Sequence, residues 1–129
     1  MSVPDPSEEI SLRVPAEPAY ARIVRVGAAA LALRQGMSFS EIDDLRLAVD
    51  EAMIMLLDRG GHDVPGVIDC VFRIDEGRLD LEISHDRDGA VTPEAVDRFD
   101  EIAAGLLDDY DLDPVRAWLR IRKLHAHAD

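Results

Sequence analysis

The sequence predicts an α+β domain in which helices cover one side of a mixed, mainly antiparallel sheet. Two observations carry this prediction: apolar residues alternate in some segments and recur at helical spacing in others. The segments follow the order strand, two helices, two hairpin strands, helix and strand. A chain of 129 residues is long enough for one domain with a real core. We therefore expect a single domain over residues 1–129, with flexible ends at 1–8 and 125–129.

The first predicted strand and the first helix are separated by a proline-containing turn. In "EISLRVP", Ile10, Leu12 and Val14 alternate with polar residues, which is typical of a strand with one buried face. Pro18 suits the first turn of a helix, and the "AYARIVRVGAAALALRQ" that follows is rich in strong helix formers. Gly36 then supplies a C-terminal cap.

A second helix is predicted over "DDLRLAVDEAMIMLLD" and the residues just before it. Ser38 with Glu41 offers an N-cap. Ser40 with Asp43 offers another, and both starting points stay open. The glycines at 60–61 supply the end of the helix. One broad apolar stripe runs between these limits and consists of Ile42, Leu45, Val49, Ala52, Met53 and Leu56.

Two strands joined by a tight turn come next. Both "VIDCVFRI" and "RLDLEIS" alternate, and "DEG" at Asp75 to Gly77 predicts the hairpin turn between them. The shared apolar face consists of Ile68, Cys70, Phe72, Ile74, Leu79, Leu81 and Ile83. Cys70 is the single cysteine, so an internal disulfide and a cysteine-based zinc site are excluded. We expect it to be a buried strand residue.

A third helix and a last strand complete the predicted fold. Thr92 and Pro93 begin the helix, which continues through "EAVDRFDEIAAGLLDDY". The acidic run "DDYDLD" is interpreted as a solvated helix end and loop. Pro114 introduces the strand "VRAWLRIRKL", whose predicted apolar face is Val115, Ala117, Leu119 and Ile121. Trp118 lies among arginines on the other, basic face and is a candidate binding anchor.

The charge of the chain disfavours several classes of function. A formal net charge of −13 would repel nucleic acid and anionic membranes, so a basic patch on a protein is the better partner. The N-terminal "MSVPDPSEEI" lacks a signal-peptide pattern and no apolar stretch is long enough to span a membrane. We therefore expect a cytoplasmic protein. We also expect no metal site: only the H-x-H at the C-terminus has a plausible ligand spacing, and disorder is the better interpretation of that tail.

Two segments resemble a known family. The runs "PAEPAYARIVRVGAAALAL" and "FSEIDDLRLAVDEAMIMLLD", followed by a hairpin, resemble the anti-sigma regulatory kinases of the RsbW and SpoIIAB type. These belong to the GHKL, or Bergerat-fold, ATPases. The similarity is strongest from Leu12 to Leu57 and extends more weakly to the last strand. The resemblance implies a two-layer α/β sandwich of the histidine-kinase-like ATPase type.

The catalytic motif of that family is incomplete in this sequence. Family members carry E-x-x-x-N on the second helix, where the glutamate is a base near the γ-phosphate of ATP and the asparagine helps hold Mg²⁺. The glutamate corresponds to Glu51, but Met55 stands at the asparagine position. A thioether is a soft ligand and does not replace a hard oxygen on Mg²⁺. Asp50 lies further round the helix, and we expect it to be solvated.

The adenine-binding box of the family, D-x-G-x-G, corresponds here to "ISHDRDGA". If the strand ends are matched, His85 stands at the aspartate, and Arg87 and Gly89 stand at the two glycines. A shift of one residue puts Asp86 at the aspartate and leaves neither glycine position with a glycine. Both registers lose a required part, because bulk at these positions keeps the backbone away from the nucleotide. Gly105 is a lone glycine where the family has a phosphate loop.

The resemblance also implies partners. In the anti-sigma relatives, the first helix helps contact both the sigma factor and the anti-anti-sigma (STAS) protein. The order aromatic, Ala, Arg in "AYARIV" assigns that role to Arg22, with Arg25 a turn along the same face. A homodimer that presents the first helix is expected.

Three hypotheses for function follow. The first is an anti-sigma regulator without ATP hydrolysis, in which Glu51 is the remnant of a catalytic base. The second is a working serine kinase that binds ATP and Mg²⁺ and phosphorylates an anti-anti-sigma protein, with Glu51 as base and Asp86 at adenine. The third is a binding or structural module with no link to sigma factors. Met55 and the broken adenine box favour the first.

Overall fold

The computed structural model describes residues 8–58, 66–87 and 91–125. Within these residues, five strands and three α-helices follow one another, and a 3₁₀ turn at Pro18–Tyr20 leads into the first helix. The elements are β1 (Glu8–Pro15), α1 (Ala21–Arg34), α2 (Phe39–Leu57), β2 (Val67–Asp75), β3 (Arg78–His85), α3 (Pro93–Ala103), β4 (Asp109–Asp113) and β5 (Trp118–Leu124). In this part of the chain, no helix combines the length and apolar character needed to cross a membrane.

The strands form one sheet in the order β1-β2-β3-β5-β4. Every neighbouring pair in it is antiparallel, so the predicted α+β class is confirmed and the described sheet contains no parallel pair. Side chains on one face are buried against the helices and form a single core with them. Its largest fully buried members include Leu45, Met53, Leu56, Phe72, Leu81, Phe99, Leu119 and Ile121.

Local signals in the sequence fix the ends of the helices. Ser38 Oγ accepts a hydrogen bond from Glu41 N, and Glu41 Oε1 accepts one from Ser38 N, so α2 starts with the first of the two predicted caps. Gly36 ends α1 at φ 81°, a left-handed conformation that suits glycine. The predicted stop for α2 at residues 60–61 lies outside the described residues, and the helix ends at Leu57.

The hairpin follows the prediction closely. β2 ends at Asp75 and β3 begins at Arg78, and Gly77 adopts φ 69° in the two-residue turn between them. Cys70 is buried on the inner face as expected, and its burial raises the pKa of the thiol to about 12. A group this far from ionising at neutral pH is a core residue rather than a nucleophile.

The acidic run near the C-terminus is an edge strand, and its interpretation as a helix end and loop is wrong. Helix α3 ends at Ala103, and β4 pairs with β5. The segment alternates in the sequence: Tyr110 and Leu112 pack against the core while Asp109 and Asp111 are exposed. Arg120 of β5 donates to Asp109 at 2.9 Å. The basic outer face of β5 thus lies beside the acidic outer face of β4, which compensates the charge of both.

The last strand begins later than the sequence predicts. Val115 is exposed and lies in a turn rather than on the apolar face of a strand. Ala117 has φ 50°, which interrupts the extended backbone just before β5 starts at Trp118. Trp118 itself is half-buried on the outer face, opposite Ser84 of β3. The strand reaches Leu124, and His125 Nδ1 lies 3.0 Å from Glu41 Oε1 at the start of α2.

Candidate functional site

The second helix buries a carboxylate in the middle of its apolar stripe. Glu51 is 8% exposed and lies among fully buried residues of α2 such as Ala52 and Met55. Because a lone buried carboxylate is costly, its partner determines what this position can do. That partner comes from α3, 47 residues further along the chain.

Arg98 of α3 binds Glu51 through two hydrogen bonds. Arg98 Nε donates to Glu51 Oε2 at 3.0 Å, and Nη2 donates to Oε1 at 3.3 Å. This fork geometry is the strongest arrangement of an arginine and a carboxylate. The hydrogen bonds to Glu51, and then its charge, raise the pKa of Arg98 above its ordinary value. Both carboxylate oxygens of Glu51 are therefore engaged by a cation of the chain itself.

Helix α3 is anchored on its other side, which holds Arg98 in place. Thr92 Oγ1 accepts from Ala95 N and caps the helix start. Phe99 is buried and meets the ring of Tyr110 edge to face, with centroids 5.4 Å apart. Tyr110 also donates its hydroxyl to Asp100 at 2.7 Å. Burial, followed by this hydrogen bond, raises the pKa of Tyr110 to about 12.

Little space remains between α2 and α3. The cavity there has a volume of about 110 Å³ and is lined by Met55, Arg98 and Phe99, among others. Ligand pockets in proteins usually measure about 300–1,000 Å³. Met55 is 1% exposed and packs in the core, as expected for a methionine that fills space. These residues do not fit Mg²⁺, because Met55 offers a soft thioether where the ion requires a hard-oxygen ligand.

Asp50 does not stand free in solvent as the sequence suggests. Its carboxylate accepts from Arg25 Nη1 of α1 at 3.1 Å, and both side chains are about one-third exposed. Position on the helix wheel predicts exposure only if no neighbouring helix lies alongside, and α1 does. Arg25 is thus engaged within the chain. Arg22 and Arg25 are the two arginines predicted to contact protein partners. Arg22 is exposed, whereas Arg25 is partly buried.

The exposed face of α1 combines positive charge with apolar surface. Arg22 is accompanied there by Ile23, Val26 and Leu33, which are 47%, 54% and 68% exposed. The helix contains three arginines and no acidic residue, in a chain whose net charge is −13. Exposed apolar side chains grouped on one helix face are typical of an interaction surface. We call Arg22, Ile23, Val26 and Leu33 the α1 face.

The two candidates for the adenine aspartate have different surroundings. His85 lies on the inner face at the end of β3 and is buried, and its Nδ1 accepts from Arg87 N at 3.0 Å. The same Nδ1 lies 3.5 Å from Asp86 Oδ1, a contact that is an ion pair only when the ring is protonated. Asp86 Oδ1 instead accepts from Val67 N at 2.9 Å and supports the start of β2. Gly89, the third assigned residue of the box, lies outside the described residues.

Arg98 is the residue of this site that sequence reasoning missed. The sequence contains one hint of its role: Arg98 is the one basic residue of α3, a helix that otherwise carries only acidic charges. These are Glu94, Asp97, Asp100 and Glu101. Its contact with Glu51 spans 47 residues, however, and no local pattern reports such a distance. Gly66 was also missed: a Cβ there would collide with the carboxylate of Asp86 and the ring of His85.

Comparison with known proteins identifies the family to which this domain belongs. A sequence model described as the histidine kinase-like ATPase domain matches residues 14–123, which is most of the chain. The chain belongs to the histidine kinase-like ATPase domain family. The family resemblance inferred from α1 and α2 is thereby confirmed, and the fold is that of a GHKL ATPase domain.

Several curated proteins are similar to part of this chain. The chain is 30% identical over 77 residues to the serine-protein kinase RsbW of Bacillus thuringiensis (strain Al Hakam) and of Bacillus cereus (strain AH820). The same identity holds for that of Bacillus anthracis. The matched segment covers 60% of this chain and 48% of each relative. The chain therefore matches about half the length of these curated relatives.

Proposed function

We propose that this chain is an anti-sigma type regulator that binds a sigma factor, an anti-anti-sigma (STAS) protein, or both, without hydrolysing ATP. The observation that carries the proposal is the Glu51–Arg98 pair beside a buried Met55. Similarity to RsbW supports the regulatory class. We further propose a cytoplasmic homodimer whose partners are proteins, with neither nucleic acid nor membrane among them.

The argument against ATP chemistry starts from the hydrogen-bond partners of Glu51. A catalytic base must be within hydrogen-bond reach of the proton it removes. Here two N–H groups of Arg98 already occupy both carboxylate oxygens. Asp86 is in turn engaged by the backbone of Val67. Glu51 therefore has a structural role, because it joins α2 to α3. Asp86, the candidate for the adenine aspartate, also has a structural role, at the start of β2.

The argument for a protein partner starts from the α1 face. Apolar side chains with an arginine beside them have the composition that recurs at the energetic centre of interfaces. Arg22 lies in the segment "AYARIV" by which the chain resembles the anti-sigma relatives. An acidic chain that presents a basic helix would recognise a partner with apolar and acidic groups at the contact.

A binding experiment tests this proposal. The purified chain is mixed with each sigma factor and each anti-anti-sigma protein of its host, and complexes are measured by gel filtration and by surface plasmon resonance. We expect Arg22→Glu to abolish the complex and Arg34→Glu, on the last turn of α1, to leave it intact. Failure to bind any such partner would favour a module with no link to sigma factors. Complexes that survive Arg22→Glu would show that the contact residue is wrong.

The alternative function is a serine kinase that phosphorylates an anti-anti-sigma protein, and the RsbW relatives favour it because they are serine-protein kinases. In that case ATP and Mg²⁺ would be required cofactors, and Glu51 would have to leave Arg98. Transfer of labelled phosphate from ATP to the anti-anti-sigma protein tests this. We expect no transfer above background. Transfer that is lost in Glu51→Ala would establish the kinase and overturn the regulator without ATP hydrolysis.

A further inference from the structure

Strand β1 lies at one edge of the sheet, and among the described residues no further strand pairs with it. Its register with β2 continues through Ala16 N, which donates to Gly66 O at 2.9 Å. Because backbone groups point alternately to the two sides of a strand, even-numbered residues of β1 face β2 and odd-numbered residues face outward. The N–H and C=O groups of Glu9, Ser11 and Arg13 are therefore directed away from the sheet. Such a row of backbone groups is a template for another strand.

The sequence of β1 is complementary to itself when it is reversed about Ser11. If two β1 strands pair antiparallel with Ser11 opposite Ser11, then Glu9 of each strand lies opposite Arg13 of the other. Ile10 and Leu12 also lie opposite each other. In this register the outward-facing residues of both strands meet, and each pair of them can exchange two N–H···O bonds. Opposite charges and apolar side chains that directly face each other stabilise a sheet.

The charges of β1 specify this register over its neighbours. Moving the centre of symmetry by one residue, to Ile10 or Leu12, places Ser11 opposite Glu9 or opposite Arg13. Moving it by two residues places two glutamates or two arginines opposite each other, which is destabilising. Only the register centred on Ser11 pairs Glu9 with Arg13.

Opposite charges also alternate across the outer face of the whole sheet. One row of directly opposite residues crosses all of its strands and consists of Glu9, Arg73, Asp80, Arg122 and Asp109. Arg122 Nε donates to Asp80 Oδ1 at 2.8 Å, and Arg73 Nε donates to Glu9 Oε2 at 3.3 Å. Each inner member of this row has an opposite charge on both sides, whereas Glu9 ends the row at β1. The arginine at position 13 of a second copy would continue the alternation.

The side chains of the β1 edge remain accessible although both charges have partners within the chain. Arg13 Nε donates to Asp69 Oδ1 at 2.7 Å, and Asp69 lies on β2, so this contact leaves the outer side of Arg13 open. The side chains of Glu9 and Arg13 are still 54% and 70% exposed. On the inner face, Ile10 is 42% exposed and Leu12 is partly buried against the core. Pairing with a second β1 would cover the apolar surface that Ile10 exposes.

The opposite edge of the sheet is unsuited to a second copy. β4 carries Asp109, Asp111 and Asp113 at alternate positions. If two β4 strands paired symmetrically with these positions facing each other, every register would bring aspartates opposite aspartates. Like charges of this kind protect a sheet edge from pairing. The two edges therefore differ, and β1 is the one whose charges match those of its own copy.

We propose that β1 pairs antiparallel with β1 of a second copy of this chain, centred on Ser11, so that the two sheets form one continuous sheet. This inference rests on the proposed homodimer and names its interface. It uses none of the residues of the α1 face. A dimer that forms through another surface would overturn this interface and leave the homodimer standing, whereas a monomeric chain would overturn both.

Sedimentation equilibrium of the full chain tests the contribution of the β1 backbone. Ser11→Pro removes the outward N–H at the centre of the interface but none of the hydrogen bonds to β2, so an edge strand tolerates it. We expect this variant to be monomeric at concentrations at which the wild type is a dimer. Ser11→Ala keeps the N–H and is the matched control, which is expected to dimerise like the wild type. Far-UV circular dichroism checks that both variants fold.

Reversal of single charges tests the register. Glu9→Arg places arginines opposite each other and Arg13→Glu places glutamates opposite each other, so each variant alone should dimerise about tenfold more weakly. An equal mixture of the two variants should form a dimer as tight as that of the wild type, because every charge then faces an opposite one. Asp111→Arg makes the same change of charge on β4 and is expected to dimerise like the wild type.

Three results would overturn the proposal. The first is a wild-type chain that stays monomeric throughout the measured range of concentration. The second is a Ser11→Pro variant that dimerises as tightly as Ser11→Ala, since the interface would then lie elsewhere. The third is a mixture of Glu9→Arg and Arg13→Glu that dimerises no more tightly than either variant alone, which would exclude the pairing of these two positions.

Discussion

Asp50 and Glu51 are consecutive residues of α2, and each is paired with an arginine of a neighbouring helix. Asp50 binds Arg25 of α1, and the two side chains are 33% and 29% exposed. Glu51 binds Arg98 of α3, and its own side chain is only 10% exposed while that of Arg98 is 61% exposed. One helix thus forms a pair that water reaches from both sides and, one residue later, a pair whose carboxylate is enclosed.

The difference teaches that the two pairs have different roles. A half-exposed ion pair contributes little to stability, because water screens it and both side chains lose freedom. An enclosed carboxylate depends on its partner, since without it a buried charge is left unsatisfied. The α1 side of α2 could therefore lose its pair with little effect. The α3 side could not, and this is the side where the family resemblance places nucleotide chemistry.

The largest effect is expected from removing the aromatic support of α3. Phe99→Ala leaves a cavity between α2 and β4, and we expect it to lower the free energy of unfolding by about 3–5 kcal/mol. Urea denaturation followed by circular dichroism measures this. Phe39→Ala is the matched control, because Phe39 is 90% exposed and its loss creates no cavity. Similar values for the two would contradict the packing of Phe99.

The next effect is expected from Arg98→Ala, which deprives the enclosed Glu51 of its cation. We expect a clear fall in the urea midpoint, because a buried charged group loses its hydrogen bonds. Adding Glu51→Gln to Arg98→Ala should recover part of the loss, since the uncompensated charge is then gone. A double variant less stable than Arg98→Ala would show that the carboxylate is not the source of the effect.

A smaller effect is expected from Arg25→Ala, which breaks the half-exposed pair with Asp50. Here the free energy of unfolding should change by about 0–1 kcal/mol. Raising the salt concentration should diminish this difference further, because exposed charges are screened. If Arg25→Ala were as harmful as Arg98→Ala, the contrast between the two pairs would be lost.

One further effect is absent at neutral pH and appears only at alkaline pH. The folded pKa of Tyr110 is raised to about 12 by burial and by its hydrogen bond to Asp100. Because this exceeds the ordinary value of 10.0, the folded state holds the proton more tightly than the unfolded state does. The contribution of Tyr110 is complete below pH 10 and is lost as the pH rises towards 12. The stability of the wild type relative to Tyr110→Phe should therefore fall as the pH rises through that interval, and a constant difference would contradict this.

Much of the fold could be predicted from local patterns. The alternation of apolar residues located β1, β2 and β3, and the caps at Ser38 and Gly36 located the helix ends. The β4 strand was not predicted because consecutive acidic residues are typical of a solvated loop, although Tyr110 and Leu112 alternate with them. An acidic strand is unfavourable alone and becomes favourable only beside Arg120 and its neighbours on β5.

The site could be predicted only in part. Glu51 and Met55 were located by their four-residue spacing, which is a local property of one helix. Their partners depend on how helices pack, and the sequence alone does not report that. Asp50 is partly solvated, but its ion pair with Arg25 of α1, which lies alongside it, was not predicted. Arg98 was missed for the same reason on the other side of the helix.

Isothermal titration of the wild-type chain with Mg-ATP tests the central proposal, that Glu51, bound by Arg98 and beside Met55, does not take part in binding Mg-ATP. We predict no saturable heat of binding up to millimolar nucleotide, with or without Mg²⁺. Saturable, magnesium-dependent binding that is abolished in Glu51→Ala or Asp86→Ala would contradict the claim and restore the kinase.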